Sequence, residues 1–180
     1  MSSSEISLLE HLDSPQSNCL NEVTTHSLKS ILASKSRNTS SEYLLSDADE
    51  QLLLNIHFNQ LVRVKAIVLQ SSKSSTSQPS QGPKLVKLFV NRPSLGFEDV
   101  QDADEPEAAQ VFDLTEDQVE SGKPIVLRYV RFQAVNSLHI FVVSNQGDEE
   151  ATRIDAVDIL GSTVEGTKDL SGLKKQNDDD

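Results

Sequence analysis

Gln51-Leu52-Leu53-Leu54-Asn55-Ile56-His57-Phe58 is followed, after Asn59-Gln60, by Leu61-Val62-Arg63-Val64-Lys65-Ala66-Ile67-Val68-Leu69. Both runs alternate with a period of two, the signature of strands with one buried face. Leu52, Leu54, Ile56 and Phe58 share a face, and Asn55 and His57 point the other way. In the second run Val62, Val64, Ala66 and Val68 are expected inward, with Arg63 and Lys65 outward. Asn59-Gln60 has the length of a hairpin link but lacks the glycine that would set its turn type.

The same period continues outward from this pair. Lys84–Asn91, Ile125–Gln133, Leu138–Ser144 and Arg153–Leu160 read as strands, with shorter ones at Gln110–Leu114 and near Tyr43–Leu45. Val135-Asn136-Ser137 is expected to turn the chain between two of them. Helix is minor. Leu28, Ile31 and Leu32 mark an amphipathic turn or two after Thr24-Thr25. Thr115-Glu116-Asp117-Gln118 has capping-box spacing and predicts a single turn ending near Gly122, with Pro124 preventing continuation. Short strands between polar loops indicate an all-β sandwich or barrel.

Composition narrows the function. At 180 residues the chain suits one domain with a real core. Acidic residues outnumber basic ones 28 to 16, for a net charge of −12. That field repels phosphate backbones and anionic lipid, so neither nucleic acid nor membrane is expected as a partner; a basic protein surface suits it better. Cys19 is the single cysteine, which excludes an internal disulfide and the common thiolate-rich zinc patterns. No run of roughly 18 apolar residues suggests a spanning helix. Met1-Ser2-Ser3-Ser4-Glu5 lacks the basic-then-apolar pattern of a signal peptide, and an intracellular protein is expected.

Catalytic chemistry is hard to find. There is no glycine-rich phosphate loop. His11, His26, His57 and His139 are far apart in sequence, although His57 and His139 lie in strands and could meet. Cys19 sits beside Asn18, Leu20 and Asn21, with no fixed cation to activate a thiol. The acids Glu98, Asp99, Asp102, Asp104, Glu105 and Glu107 lack the regular spacing and central glycine of a calcium loop. The expectation is a non-enzymatic domain with no cofactor and no metal.

Several motifs in order carry a further resemblance: Cys19-Leu20-Asn21-Glu22; Asp47-Ala48-Asp49-Glu50-Gln51-Leu52-Leu53 with Phe58-Asn59-Gln60; Gly82-Pro83-Lys84-Leu85-Val86-Lys87; Leu127-Arg128-Tyr129-Val130-Arg131-Phe132-Gln133; Ile140-Phe141-Val142; and Ser144-Asn145-Gln146-Gly147 with Glu149-Glu150-Ala151-Thr152-Arg153-Ile154. The set resembles the PITH domain, the proteasome-interacting module of thioredoxin-like proteins, over residues 6–164. The resemblance implies a jelly-roll β-sandwich akin to galactose-binding-like domains, and docking on the regulatory particle of the 26S proteasome. It places such a chain in cytoplasm and nucleus, as a monomer. The family's thioredoxin-like members carry a redox Cys-x-x-Cys in a preceding domain, and this chain has none, so no reductase activity is expected of it. Residues 1–5 read as linker or added residues ahead of an excised domain, and 165–180 as a flexible acidic tail. Ser71–Gly82 and Ser34–Ser41 read as polar loops.

The expected partner-binding residues are Asp47, Asp49, Glu50, Asn145, Gln146, Gly147, Glu149, Glu150 and Arg153. Asp47, Asp49 and Glu50 serve equally as loop residues that accept backbone amides. Gly147 is expected at positive φ, and Arg153 is expected to pair with Glu149 or Glu150. A carbohydrate-binding jelly roll is the alternative. The absence of tryptophan and the presence of only two tyrosines weaken it, since sugars stack on aromatics.

Overall fold

A computed structural model describes residues 5–72 and 80–164. The expected tail at 165–180, residues 1–4 and the interior of the serine-rich loop lie outside the described residues.

The strands, in chain order, are β1 (Ile6–Ser7), β2 (Asn18–Leu20), β3 (Leu44–Leu45), β4 (Leu52–Gln70), β5 (Leu85–Val90), β6 (Gln110–Asp113), β7 (Ile125–Val126), β8 (Val135–Val142), β9 (Arg153–Ile154) and β10 (Ala156–Thr163). Three short helices join them: α1 (Leu28–Leu32), α2 (Phe97–Val100) and α3 (Glu116–Ser121). All pairings are antiparallel, in the order β1-β10-β4-β8-β5-β6, with β2 and β7 also on β4 and a separate β3-β9 pair. The curled sheet is the jelly-roll β-sandwich read from the sequence.

The expected hairpin at Asn59-Gln60 is not formed. Leu52–Gln70 is one continuous strand. A two-residue hairpin turn needs φ above zero, and no residue from 58 to 61 adopts it. The two halves of β4 instead pair mainly with different neighbours: residues 52–57 with β8 and, at 53–55, with β2, and residues 62–70 with β10 and, at 66–67, with β7, while Val62 still reaches Val135 of β8. A register shift between His57 and Val62 marks the corner, so the strand passes from one layer of the sandwich to the other.

A second irregularity corrects the expected inward set. Leu160 pairs with Ala66 but Gly161 pairs with Val64, which leaves Lys65 as the extra residue of a β-bulge. The bulge inverts the alternation, because one added residue flips a strand's faces. Val62 and Val64 enter the main core before it, and Ile67 and Leu69 after it. Ala66 and Val68 are buried outside that cluster. Gly161 makes the close approach possible: a Cβ there would lie 1.8 Å from the Arg63 carbonyl oxygen.

The Ile125–Gln133 strand is also corrected. After Val126 the chain turns, and Tyr129–Phe132 forms a 3-10 helix. Leu127 and Phe132 are both buried in the main core. Five residues apart, they cannot share a face of a strand. Val135–Ser137 in turn is strand rather than the expected turn.

The capping box at Thr115 forms as read: Thr115 Oγ1 accepts the Gln118 amide at 3.1 Å, and Gln118 Oε1 accepts the Thr115 amide at 2.8 Å. Gly122 ends α3 at φ 67°. At the ends of the serine-rich segment Ser71, Ser80 and Gly82 are buried. A second apolar cluster lies on the outer face of the β4-β8-β5 layer, where Leu53, Phe89 and Phe141 meet Leu95, Val100, Ala103 and Ala108. There the acidic stretch that lacks calcium-loop spacing packs on the sheet through Val100, Ala103 and Ala108. Buried Lys87 fastens it through the Ala103 carbonyl at 2.5 Å, with Asp104 3.5 Å away.

Candidate interaction site

The segments 47–50 and 145–153, about a hundred residues apart in sequence, form one surface. Thr152 joins them. Its amide donates to Ser46 Oγ at 2.8 Å, its Oγ1 donates to the Glu50 carbonyl at 2.5 Å, and its own carbonyl accepts the Ser46 amide at 3.0 Å. Asn21, at φ 73°, shapes the first segment from the other side. Its Nδ2 donates to Asp49 Oδ1 at 2.9 Å and to the Gln51 carbonyl at 2.7 Å, and its Oδ1 accepts the Ala48 amide at 3.0 Å. Asn, with its short polar side chain, tolerates this left-handed backbone. The sequence motifs contain Asn21 and Thr152 without a role for either, and Ser46 lies just outside them. The one signal was the asparagine of the Cys19–Glu22 motif.

Asn145 organises the second segment. Only 2% exposed, it donates from Nδ2 to the Glu149 carbonyl at 2.9 Å, the Ala151 carbonyl at 3.2 Å and Thr152 Oγ1 at 3.2 Å, while its Oδ1 accepts the Glu149 amide at 2.7 Å. Gln146 Nε2 is held by the carbonyls of Leu114 and Pro83. Arg153 does not pair with Glu149 or Glu150. It binds Asp155 through two nitrogens, at 3.0 and 2.8 Å, and lies 3.9 Å over the Tyr43 ring. A planar guanidinium matches a carboxylate and an aromatic face together, and the Asp155 hydrogen bonds push its pKa further up. Gly147 is not at positive φ; Asp148 is, at 52°.

The side chains of Asn145, Gln146 and Arg153 are therefore spent within the fold, and carboxylates face outward. Glu50, Asp148, Glu149 and Glu150 rim a cleft of about 260 Å³ with Ser144 and Asn145. Asp47 and Asp49 are exposed alongside. Asp49 accepts hydrogen bonds, as its structural reading allowed. The side chains of Asp47, Glu50, Asp148, Glu149 and Glu150 make no hydrogen bond or ion pair among the described residues. The described residues contain no group of three or more His, Cys, Asp or Glu side chains arranged to hold a metal ion.

This geometry sits in a chain whose residues 1–178 match the family model of the PITH domain. The chain belongs to the PITH domain family. It is 38% identical over 154 residues to Thioredoxin-like protein 1 of Schizosaccharomyces pombe, covering 85% of this chain and 50% of that protein. It therefore spans half the length of that relative. It is 33% identical over 165 residues to the PITH domain-containing protein CG6153 of Drosophila melanogaster, covering 89% of this chain and 72% of that protein. Among solved structures, the family 32 carbohydrate-binding module of Clostridium perfringens NanJ, in complex with galactose, superposes with a TM-score of 0.58 at 9% identity, covering 87% of this chain and 98% of the module. At that identity the likeness concerns the fold alone.

Elsewhere in the PITH fold, His57 and His139 do meet, with ring centroids 6.0 Å apart. Asn55 Nδ2 donates to Asn18 Oδ1 at 3.1 Å, so Asn55 Oδ1 must accept from His139 Nδ1 at 2.6 Å. His139 thus carries its proton on Nδ1, and its Nε2 accepts from the Arg92 amide at 3.4 Å. Burial first, then the neighbouring His57 and Arg92, lower its pKa to about 4. The neutral form stabilises the fold above the unfolded pKa of about 6.5. As pH falls from there towards 4 the unfolded state takes up a proton the folded state refuses, and stability is lost. Nitrogen NMR should show His139 still neutral, with Nδ1 protonated, at about pH 5; titration near the ordinary value would refute this assignment. Cys19 is buried, and burial raises its thiol pKa well above normal, which disfavours the reactive thiolate.

Proposed function

We propose that this domain is a protein-docking module that attaches a thioredoxin-like protein to the regulatory particle of the 26S proteasome, using the acidic rim as its contact. The observation carrying this reading is the convergence of segments 47–50 and 148–150 into one rim of carboxylates held on buried hydrogen bonds. Loops fixed on a rigid scaffold are where binding residues concentrate. Kinship with Thioredoxin-like protein 1 supports the thioredoxin-like context. The module acts as a monomer, in cytoplasm and nucleus, against a basic surface of its partner. No observation favours the carbohydrate-binding alternative.

Glu149→Lys with Glu150→Lys tests the contact. The fold holds Glu149 through its backbone amide and carbonyl, so reversing these side chains should leave melting nearly unchanged. Affinity for purified regulatory particle should fall at least about tenfold at low salt, with a smaller loss at high salt. A folded double variant that binds like the parent at both salts would place the contact elsewhere.

A further inference from the structure

The turn Ser14–Gln16 is clamped to β4 at His57. The Asp13 amide donates to the His57 carbonyl at 2.8 Å, while Ser17 Oγ accepts the His57 amide at 3.0 Å and donates to the Asp13 carbonyl at 3.0 Å. Asn91 fixes a second segment. It adopts φ 58°, donates from Nδ2 to the Ala134 carbonyl and accepts the Asn136 amide on Oδ1. The two segments enclose a hollow of about 310 Å³, lined by Asp13, Gln16, His57, Phe58, Pro93 and Asn136 among others. A second hollow of about 210 Å³ shares His57 and Pro93 with it. The backbone is satisfied here, but the side chains are not. Asp13 stands at the N-terminal cap of the Ser14–Gln16 turn, where a carboxylate ordinarily accepts a backbone amide, and it makes no such bond. Nor does it make an ion pair or any other side-chain hydrogen bond among the described residues. The His57 ring and the side-chain amides of Gln16 and Asn136 are likewise without hydrogen bonds there. Imidazoles apart, Asp13 is the one charged side chain among the described residues that line either hollow. Arg92 acts on His139 through its charge but lines neither.

We infer that this hollow is a binding site for a guanidinium or primary ammonium group carried on an aliphatic stem. Asp13 supplies a charge-assisted bond. The amides of Gln16 and Asn136 and the His57 ring supply acceptors for the remaining N–H groups, and Phe58 and Pro93 flank the stem. The net charge of −12 attracts cations and repels anions. A neutral sugar fits the lining less well, because neither hollow offers a tyrosine or tryptophan face to stack on. The site is also remote from the acidic rim. It lies at the His57–Ser137 end of the β4-β8 ladder, whereas the rim adjoins the Leu52–Val142 end, roughly 17 Å away.

The test uses the full chain and NMR titration of its backbone amides. The probes are N-acetyl-arginine amide, its citrulline counterpart, which keeps the shape and loses the charge, and methyl galactoside. The arginine compound should shift the amides of Asp13, His57 and Asn136, with Kd of about 1 mM. Loss of the charge, in the citrulline compound or in Asp13→Asn, should weaken binding at least about tenfold. Gln16→Lys, which brings a cation of the chain's own to the hollow, should weaken it as well. Melting should barely change in either variant, because neither side chain is bonded within the fold. Glu149→Lys with Glu150→Lys should leave the affinity within about twofold at physiological salt, which separates the hollow from the rim. Spermidine and an end-capped Gly-Arg-Gly peptide distinguish the sources. Tighter binding of spermidine assigns the hollow to a free amine and tighter binding of the peptide to a partner's side chain, and both support the inference. It is overturned if the arginine compound does not bind, if the citrulline compound or methyl galactoside binds equally well, or if Asp13→Asn leaves the affinity unchanged.

Discussion

Gly161→Ala is expected to destabilise the domain by more than about 3 kcal/mol, a fall in Tm of about 10 °C for a chain of this size. The added Cβ would sit 1.8 Å from the Arg63 oxygen and 2.9 Å from its carbonyl carbon. These are backbone atoms of the bulge, so relief requires β4 and β10 to separate where the alternation of β4 inverts. Leu8 Cδ1 at 3.1 Å closes the remaining side. Gly96→Ala is the matched control, because the atoms its Cβ meets all belong to the flexible carboxyl end of Glu98. It should cost under about 1 kcal/mol. Urea denaturation of both variants decides the matter, and equal midpoints would show that the bulge is not as tight as described.

Asn145→Ala should cost about 2–3 kcal/mol and loosen the acidic rim. One buried amide satisfies two carbonyls, a hydroxyl and the Glu149 amide, and alanine would take that partner from the Glu149 amide and the two carbonyls in a part-buried site. Asn145→Asp should be no milder. It keeps an acceptor for the Glu149 amide but turns a carboxylate towards the carbonyls of Glu149 and Ala151. In both variants, hydrogen exchange at Glu149 should accelerate more than in the centre of β4. Affinity for the regulatory particle should fall together with that protection. Fast exchange with unaltered binding would separate the rim from the contact.

Gly161 and Asn145 also show where sequence reading reaches and where it stops. The period of two that marks residues 51–58 and 61–64 as strand, the Thr115 capping box and the Gly122 stop are local patterns, and local geometry alone was enough to read them. The ordered motifs likewise placed the chain in the PITH family and picked out the segments that make the acidic rim. The corner at residues 58–61 was read as a hairpin because its pairing partners, β8, β2 and β10, are distant in sequence. The inward set beyond Val64 was misread for a related reason. A bulge is defined by the count of residues on two strands together, and Leu160-Gly161 is nearly a hundred positions from Lys65. Asn145 and Arg153 were chosen as contacts for their polarity, but polarity does not distinguish a side chain facing solvent from one satisfied inside. Likewise, Tyr129 and Val130 looked like strand residues until Leu127 and Phe132 both had to reach the core. The sequence by itself determined the fold class, the family and the acidic character of the rim, because periodicity, motif order and charge are properties of the chain. Tertiary structure alone decided which side chains the rim presents and that Val126, Tyr129 and Val130 stand exposed, because exposure depends on what distant segments cover.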